Sequence, residues 1–190
     1  MKQYIQPEEL RHDSFVLGAK VIEDGYKPDF MVALWRGGST IGIFCHELLK
    51  RRGIKVDHIC IRTSRYTGID TTEEKVKVFN LNYIVKNIVN GSKILLVDDV
   101  FDTGRTIEAF LSKLAEKVKE RNGEEDINYE VRIATVYYKP TRNQTQIVPN
   151  YFVHESASWL VYPHEISDMD DQELEEFLGK ATSDVIKRTC

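Results

Sequence analysis

The chain has 190 residues, 42% hydrophobic and 29% charged, with a formal net charge of −4 and an isoelectric point near 5.8. That length suits one domain with a sizeable core, and the acidic balance argues against broad, nonspecific nucleic-acid binding, which needs a basic face. The opening MKQYIQPEEL has no apolar leader core and no stretch approaches the roughly 18 apolar residues of a membrane span, so a cytoplasmic protein with no membrane partner is expected.

In chain order, Pro7-Glu8-Glu9 opens a helix with acids in its first turn, Leu10, Leu17, Val21 and Ile22 on one face, and Gly25 as its stop. Phe30–Leu34 reads as a buried strand. A helix follows through Ile41, Phe44, Cys45, Leu48 and Leu49, with Lys50-Arg51-Arg52 at its negative end and Gly53 after it. Val56–Ile61 is strand-like, and the polar segment 63–75 reads as a long loop. Ile94–Val97 is a strand, the helix after it carries Ile107, Phe110, Leu111, Leu114 and Val118, and Val131–Tyr138 is again strand-like. This alternation implies an α/β chain with a parallel, helix-covered sheet. From about residue 140 the pattern is irregular, ending in a short acidic amphipathic helix around Leu174, Phe177 and Leu178. Cys45, Cys60 and Cys190 are odd in number and lack a CxxC pair, which fits reduced thiols rather than a disulfide frame or zinc site. His12, His46, His58 and His154 show no metal-ligand spacing.

Residues 94–106, ILLVDDVFDTGRT, concentrate the chemistry. In an open parallel sheet, ligands gather at the carboxyl ends of the strands, where Asp98 and Asp99 fall. Thr103-Gly104-Arg105-Thr106 then turns into a helix whose first amides lack partners, and such a turn cradles phosphate. Amides beside carboxylates suit a phosphorylated sugar, the acids serving hydroxyls or a hydrated Mg²⁺. A plainer expectation runs alongside: Asp102 or Thr103 caps the helix with its side chain, which accounts for neither the paired acids nor the Thr-Gly-Arg-Thr turn. The acidic strand is also similar to the first strand of response-regulator receiver domains. Those need an aspartate ending a later strand, and Val131–Tyr138 ends in Lys139-Pro140 instead.

The string resembles the signature of type I phosphoribosyltransferases for 5-phosphoribosyl-1-pyrophosphate (PRPP): an apolar strand, two acids, two residues, then Asp-Thr-Gly-x-Thr. The resemblance implies that family's fold, a twisted, mainly parallel sheet flanked by helices with a small hood from the terminal segments. It implies Mg²⁺ as cofactor and PRPP as substrate, with Asp98 and Asp99 on the ribose hydroxyls or the metal, directly or through water. Asp102, Thr103, Gly104, Arg105 and Thr106 would form the 5′-phosphate loop, and Asp102 would be the general acid/base at N7 of a purine. Trp35-Arg36-Gly37-Gly38 resembles the pyrophosphate loop, with Gly37 and Gly38 giving close approach and Arg36 a cation. Segment 63–75 resembles the mobile lid, with Ser64, Arg65 and Tyr66 as its working part; a surface hairpin is the plainer expectation.

Lys139 at a strand end, followed by Ser158-Trp159-Leu160-Val161-Tyr162-Pro163-His164-Glu165, resembles the 6-oxopurine branch. By that resemblance Lys139 donates to the 6-oxo group, Trp159 stacks on the ring, and the backbone at Leu160 reads the 2-position. Glu165 matches an acid of the purine or metal surroundings, with Glu in place of the usual Asp, and His164 stands where a bulky aromatic is common. The implied function is purine salvage with hypoxanthine, guanine or xanthine, by a single domain over 1–190: core about 28–140, base-binding hood about 141–166, C-terminal helix 168–190. Small-molecule partners, no nucleic acid and a homo-oligomer (dimer or tetramer) complete the expectation. A transferase for another base, a PRPP-sensing nucleic-acid-binding regulator and a scaffold that has kept the fold without turnover are the alternatives.

Overall fold

The computed structural model describes residues 2–67, 74–123 and 125–188, with the backbone alone at 65–67 and 74–75. The described elements run β1 (Lys2–Tyr4), α1 (Pro7–Glu23), β2 (Phe30–Trp35), α2 (Gly37–Arg51), β3 (Asp57–Thr67), β4 (Glu74–Val78), α3 (Asn82–Asn87), β5 (Ser92–Phe101) and α4 (Arg105–Asn122). After them come β6 (Tyr129–Tyr138), a 3₁₀ turn over Pro140–Arg142, β7 (Tyr151–Glu155), β8 (Trp159–Val161), α5 (Asp171–Leu178) and α6 (Lys180–Lys187). Two compact units result, Asp13–Ala157 and Met1–His12 with Ser158–Cys190.

The larger unit holds a six-stranded sheet in the order β4-β3-β2-β5-β6-β7. All its pairs are parallel except β3 with β4. Ile94, Leu95, Leu96 and Val97 of the central β5 are each 0% exposed, as a strand covered by helices on both faces requires. Alternation sorts the side chains: Val32, Leu34, Ile94 and Leu96 pack with Ile84, Val85, Ile107, Phe110 and Leu114 of α3 and α4. On the other face α2 buries Ile41, Cys45 and Leu49. A Cβ at Gly42 would lie 3.0 Å from the Ala33 Cβ, so the missing side chain lets α2 ride close on β2. Burial pushes the Cys45 thiol up to about 12, which makes it an inert core group. The buried Asp13 is satisfied by His154, whose Nε2 lies 2.8 Å away.

Chain order and sheet order together place the site. From β2 the chain crosses through α2 to β3 on one side, and from β5 through α4 to β6 on the other. The order therefore reverses between β2 and β5, where a crevice opens at the carboxyl ends of the strands. Their pairing stops at Ala33↔Val97, while β2–β3 continues to Trp35↔Arg62 and β5–β6 to Phe101↔Tyr138.

The smaller unit pairs β1 with β8 in parallel, Gln3 opposite Leu160. Asp170 accepts from the amides of Gln172 and Glu173, and the Glu173 carboxylate accepts from the Asp170 amide, a capping box that starts α5. Lys2, Tyr4 and the Asp170 amide all donate to Glu173 and hold its carboxyl down to about 2.

Several expectations need correction. The polar segment 63–75 is not all loop: Thr63–Thr67 pairs with Glu74–Val78 as an antiparallel hairpin, its polar residues masking a two-residue period. β5 runs through Asp98 and Asp99 to Phe101, held by β6 alone after Val97. The expected C-terminal helix is two helices, broken at Gly179 with φ 79°. β1, α3, β7 and β8 are too short for a periodicity reading.

Candidate active site

Two loops meet in the crevice, and glycines decide how closely. A Cβ on Gly38 would stand 2.3 Å from the carbonyl oxygen of Val97, and one on Gly37 would stand 1.9 Å from Asp99 Oδ2. The start of α2 is therefore pressed against the last residues of β5, at a distance open only to glycine. The Trp35–Arg36 peptide is cis, and Arg36, exposed, begins α2 with no side-chain cap. The Gly38 amide bonds to the Asp98 carboxylate and the Ser39 amide donates to Arg36 O at 3.1 Å, so the start of α2 is tied directly to the paired acids.

Asp99 is 7% exposed and Asp98 partly buried. The Asp99 amide donates to Asp98 Oδ1 at 3.0 Å, and the Val100 amide to Asp99 Oδ1 at 2.7 Å. Burial first, and the Asp99 charge second, push the Asp98 carboxyl well above the ordinary carboxylate range. Among the described residues no three His, Cys, Asp or Glu side chains gather to hold a metal. Two adjacent carboxylates with mutual repulsion fit Mg²⁺, which takes one or two protein carboxylates and fills the rest of its shell with water and substrate oxygens.

The sign of the Asp98 shift has a thermodynamic consequence. An acid whose folded-state value is raised opposes folding once ionised, so its contribution is complete below the unfolded value and is lost as pH rises through the folded one. Asp98→Asn is therefore expected to raise the ligand-free melting temperature at pH 7 by about 2–4 °C, the shift from roughly 1 kcal/mol in a chain of this size. Calorimetry at pH 7 and pH 4 checks this, and a gain that does not shrink at pH 4 contradicts it.

The turn into α4 has the geometry expected of an anion seat. Gly104 starts the helix at φ 79°, with no side-chain cap, so the expected Asp102 or Thr103 cap does not form. The reason is visible in the packing: Gly104 turns left-handed over the Phe101 ring and Thr145 Oγ1, which a Cβ would meet at 2.8 and 2.6 Å. That turn sends Asp102 toward other partners. The amides of Arg105 and Thr106 thus open α4 without an internal acceptor, which suits a phosphate.

Asp102 meets two cations from the segment after β6. Its Oδ2 is 3.9 Å from Lys139 Nζ, and its Oδ1 is 2.6 Å from Arg142 Nε. That second contact lacks hydrogen-bond alignment, so Oδ1 is a buried acceptor with an ion-pair partner but no donor. Lys139 is 4% exposed, and burial lowers its pKa against the opposing pull of Asp102. The segment is laced to the loop through the Lys139 amide to Phe101 O at 2.9 Å and the Gln144 amide to Thr103 O at 3.0 Å.

Asp98, Asp99, Asp102, Lys139, Gly37 and the amides at Arg105 and Thr106 thus share one end of the larger sheet. Ser64 lies in β3, the backbone of Arg65 and Tyr66 pairs with β4, and the hairpin tip expected to form the lid lies outside the described residues. Trp159, Leu160 and Glu165 belong to the smaller unit. There Trp159 is 62% exposed while Leu160 is 6%, Glu165 is exposed with its amide donating to Tyr162 O at 3.0 Å, and His164 stacks on Tyr162 with centroids 5.3 Å apart. Arg142 was missed by sequence reasoning; its signal was a cation three residues after Lys139 in a Pro-Thr turn.

Comparison with known proteins finds relatives over most of the chain. The chain is 28% identical over 175 residues to the hypoxanthine-guanine phosphoribosyltransferase of Schizosaccharomyces pombe, covering 82% of this chain and 85% of that protein. Among solved structures, a purine phosphoribosyltransferase from Pyrococcus horikoshii aligns at TM-score 0.64 and 28% identity, over 89% of this chain and 97% of its own. A Neisseria gonorrhoeae protein solved with ppGpp bound shares the fold at TM-score 0.71 and 21% identity, over 96% and 98%. No helix among the described residues is long and apolar enough to cross a membrane. The phosphoribosyl transferase domain profile matches residues 16–164; the chain belongs to that family, has the type I phosphoribosyltransferase fold, and is a phosphoribosyltransferase.

Proposed function

We propose that this enzyme salvages purines, transferring the 5-phosphoribosyl group of Mg²⁺–PRPP to hypoxanthine, guanine or xanthine and releasing pyrophosphate. The observation that carries the base assignment is the Lys139–Asp102 pair: a buried ammonium 3.9 Å from a carboxylate at the end of the central strands. A 6-oxopurine presents the complement on adjacent atoms, an acceptor at O6 and a donor at N7–H. Adenine would turn an amino donor toward Lys139. The names of the relatives in S. pombe and P. horikoshii support the same class.

On this reading the α4 amides, with Thr103 and Thr106, hold the 5′-phosphate, and the start of α2 with Arg36 receives the pyrophosphate. Asp98 and Asp99 hold the ribose hydroxyls and the metal, which supplies charge stabilisation to the departing pyrophosphate. The C1–oxygen bond to pyrophosphate breaks as N9 of the base bonds to C1, and the N7 proton passes to Asp102. By the family resemblance Trp159, exposed, is assigned the stacking face, Leu160 the backbone that reads the 2-position and Glu165 an acid of the purine or metal surroundings, in a base-binding hood of about residues 141–166. Ser64, Arg65 and Tyr66 belong to the lid that keeps water from an oxocarbenium-like transition state.

Lys139 gives the test. It must be protonated to donate to O6, and burial lowers its pKa. The kcat/KM for a 6-oxopurine is therefore expected to fall on an alkaline limb below the ordinary lysine range. The same shift makes the charged form unfavourable in the fold, so this group's contribution to stability rises with pH between the folded and unfolded values. Lys139→Met should remove that limb and lower kcat/KM roughly 10- to 100-fold, the worth of one charged hydrogen bond. A variant that keeps both the limb and the rate would reject the assignment.

A further inference from the structure

We propose that Thr145, locked by Asn143, is a positioning residue for the 5′-phosphate of PRPP: its hydroxyl braces the Thr103–Gly104 turn that aims the first amides of α4. This rests on the phosphate placement above, not on the base assignment, and extends it to a residue that touches no substrate in that scheme.

The turn has a weakness built into it. Glycine reaches the left-handed region at little cost, and by the same freedom it leaves it easily. Gly104, at φ 79°, starts α4 without a side-chain cap. Nothing in the residue itself therefore fixes the direction of the amides that follow, and donors bind an anion best when they are aimed before it arrives. The restraint has to come from outside the turn.

It comes from the segment after β6, where Asn143-Gln144-Thr145-Gln146-Ile147 folds into two overlapping side-chain turns. Asn143 Oδ1 accepts from the Thr145 amide and from the Thr145 hydroxyl, both at 2.9 Å. Thr145 Oγ1 accepts in turn from the Ile147 amide at 3.2 Å. Asn143 Nδ2 donates to Ile147 O at 2.8 Å and to the Tyr138 hydroxyl at 3.3 Å. Both acceptor sites and both protons of the Asn143 amide are thus used, and Ile147 and Tyr138 tie this knot to the core. The Thr145 hydroxyl, donating one way and accepting the other, is held in one orientation.

Two contacts carry that rigidity to the turn. The Gln144 amide donates to Thr103 O at 3.0 Å. Thr145 Oγ1 takes the space where a side chain on Gly104 would begin: a Cβ there would stand 2.6 Å from it and 2.8 Å from the Phe101 ring. A threonine serving its own loop alone would need the bonds to Asn143 and Ile147, not this place against the glycine. Lys139 is held separately, by its amide on Phe101 O and by the Arg142 amide on its carbonyl, so losing the Thr145 hydroxyl leaves those anchors in place.

The test titrates ribose 5-phosphate, and separately Mg²⁺–pyrophosphate, into wild-type enzyme, Thr145→Val, Thr145→Ser and Thr106→Val by calorimetry. Thr145→Val keeps the branched shape without the hydroxyl and is expected to weaken ribose 5-phosphate about three- to tenfold, the net worth of one neutral hydrogen bond, with KM for PRPP rising in step. Pyrophosphate affinity and KM for the base should stay within about twofold, as for sites that share no partners, a separation that general loosening of the fold would not give. Thr145→Ser keeps the hydroxyl and should bind ribose 5-phosphate as wild type does; Thr145→Ala replaces the valine variant if that one does not fold. Unchanged ribose 5-phosphate binding in Thr145→Val beside a loss in Thr106→Val would overturn this inference alone, as would equal losses in the valine and serine variants or a loss shared by pyrophosphate. Unchanged binding in Thr106→Val, or none in wild type, would instead overturn the phosphate placement, and this inference with it.

Discussion

Asp102→Asn is expected to slow 6-oxopurine transfer by roughly 10²- to 10⁴-fold, the usual contribution of a positioned acid/base group, while PRPP affinity changes only a few-fold. The substitution preserves shape but removes the charge that faces Lys139 and Arg142. An asparagine oxygen still accepts from N7–H but takes up its proton poorly, so binding survives better than chemistry. On the proposed reading the phosphate lies on backbone amides after the left-handed Gly104 rather than on this side chain, which is why PRPP binding should hold. There is also a folding cost, because Lys139 stays buried without its main counter-charge. Single-turnover kinetics with calorimetric titration of PRPP separate the effects. Full kcat in Asp102→Asn would remove Asp102 from the acid/base role.

The second large effect comes from two neighbouring glycines that should fail in different ways. At Gly38 a Cβ meets the Val97 carbonyl at 2.3 Å, a backbone atom of the central strand that cannot move without breaking the sheet. Gly38→Ala is expected to cost about 3 kcal/mol or more, at the upper end of overpacking effects, seen as a lower urea midpoint. At Gly37 the Cβ meets the Asp99 carboxylate at 1.9 Å, a side chain that can rotate away. Gly37→Ala should therefore fold nearly as well as wild type but displace a carboxylate assigned above to the ribose and metal, with turnover falling more than stability. Equal stability losses in the two variants would contradict this division.

How far the sequence carried this account depended on the kind of signal. The helices carrying Ile41, Cys45 and Leu49, and Ile107, Phe110 and Leu114, were legible because one face is apolar and glycine punctuates the end. The turn from β5 into α4 was legible because Thr-Gly between a buried apolar strand and an amphipathic helix marks one. Side-chain capping of α4 was misjudged: sequence shows that Asp102 and Thr103 are able to cap, but only packing shows Gly104 turning over Phe101 and taking the cap position. The pairing of Thr63–Thr67 with Glu74–Val78 was legible only as the plainer alternative to a lid loop, because polar residues at a sheet edge give alternation little hydrophobic contrast. Arg142 was invisible because a surface arginine in a turn is common, and its meaning comes from Asp102, forty residues earlier in the chain.

The central claim is tested most directly by turnover with Mg²⁺ and PRPP against hypoxanthine, guanine, xanthine, adenine and orotate in parallel, followed by base absorbance. The account predicts turnover of at least one 6-oxopurine, with adenine and orotate inert because neither offers an acceptor to Lys139 beside a donor to Asp102 on a purine frame. Turnover of adenine or orotate alone would contradict the Lys139–Asp102 assignment, and binding of PRPP with no base consumed would contradict the proposed reaction itself.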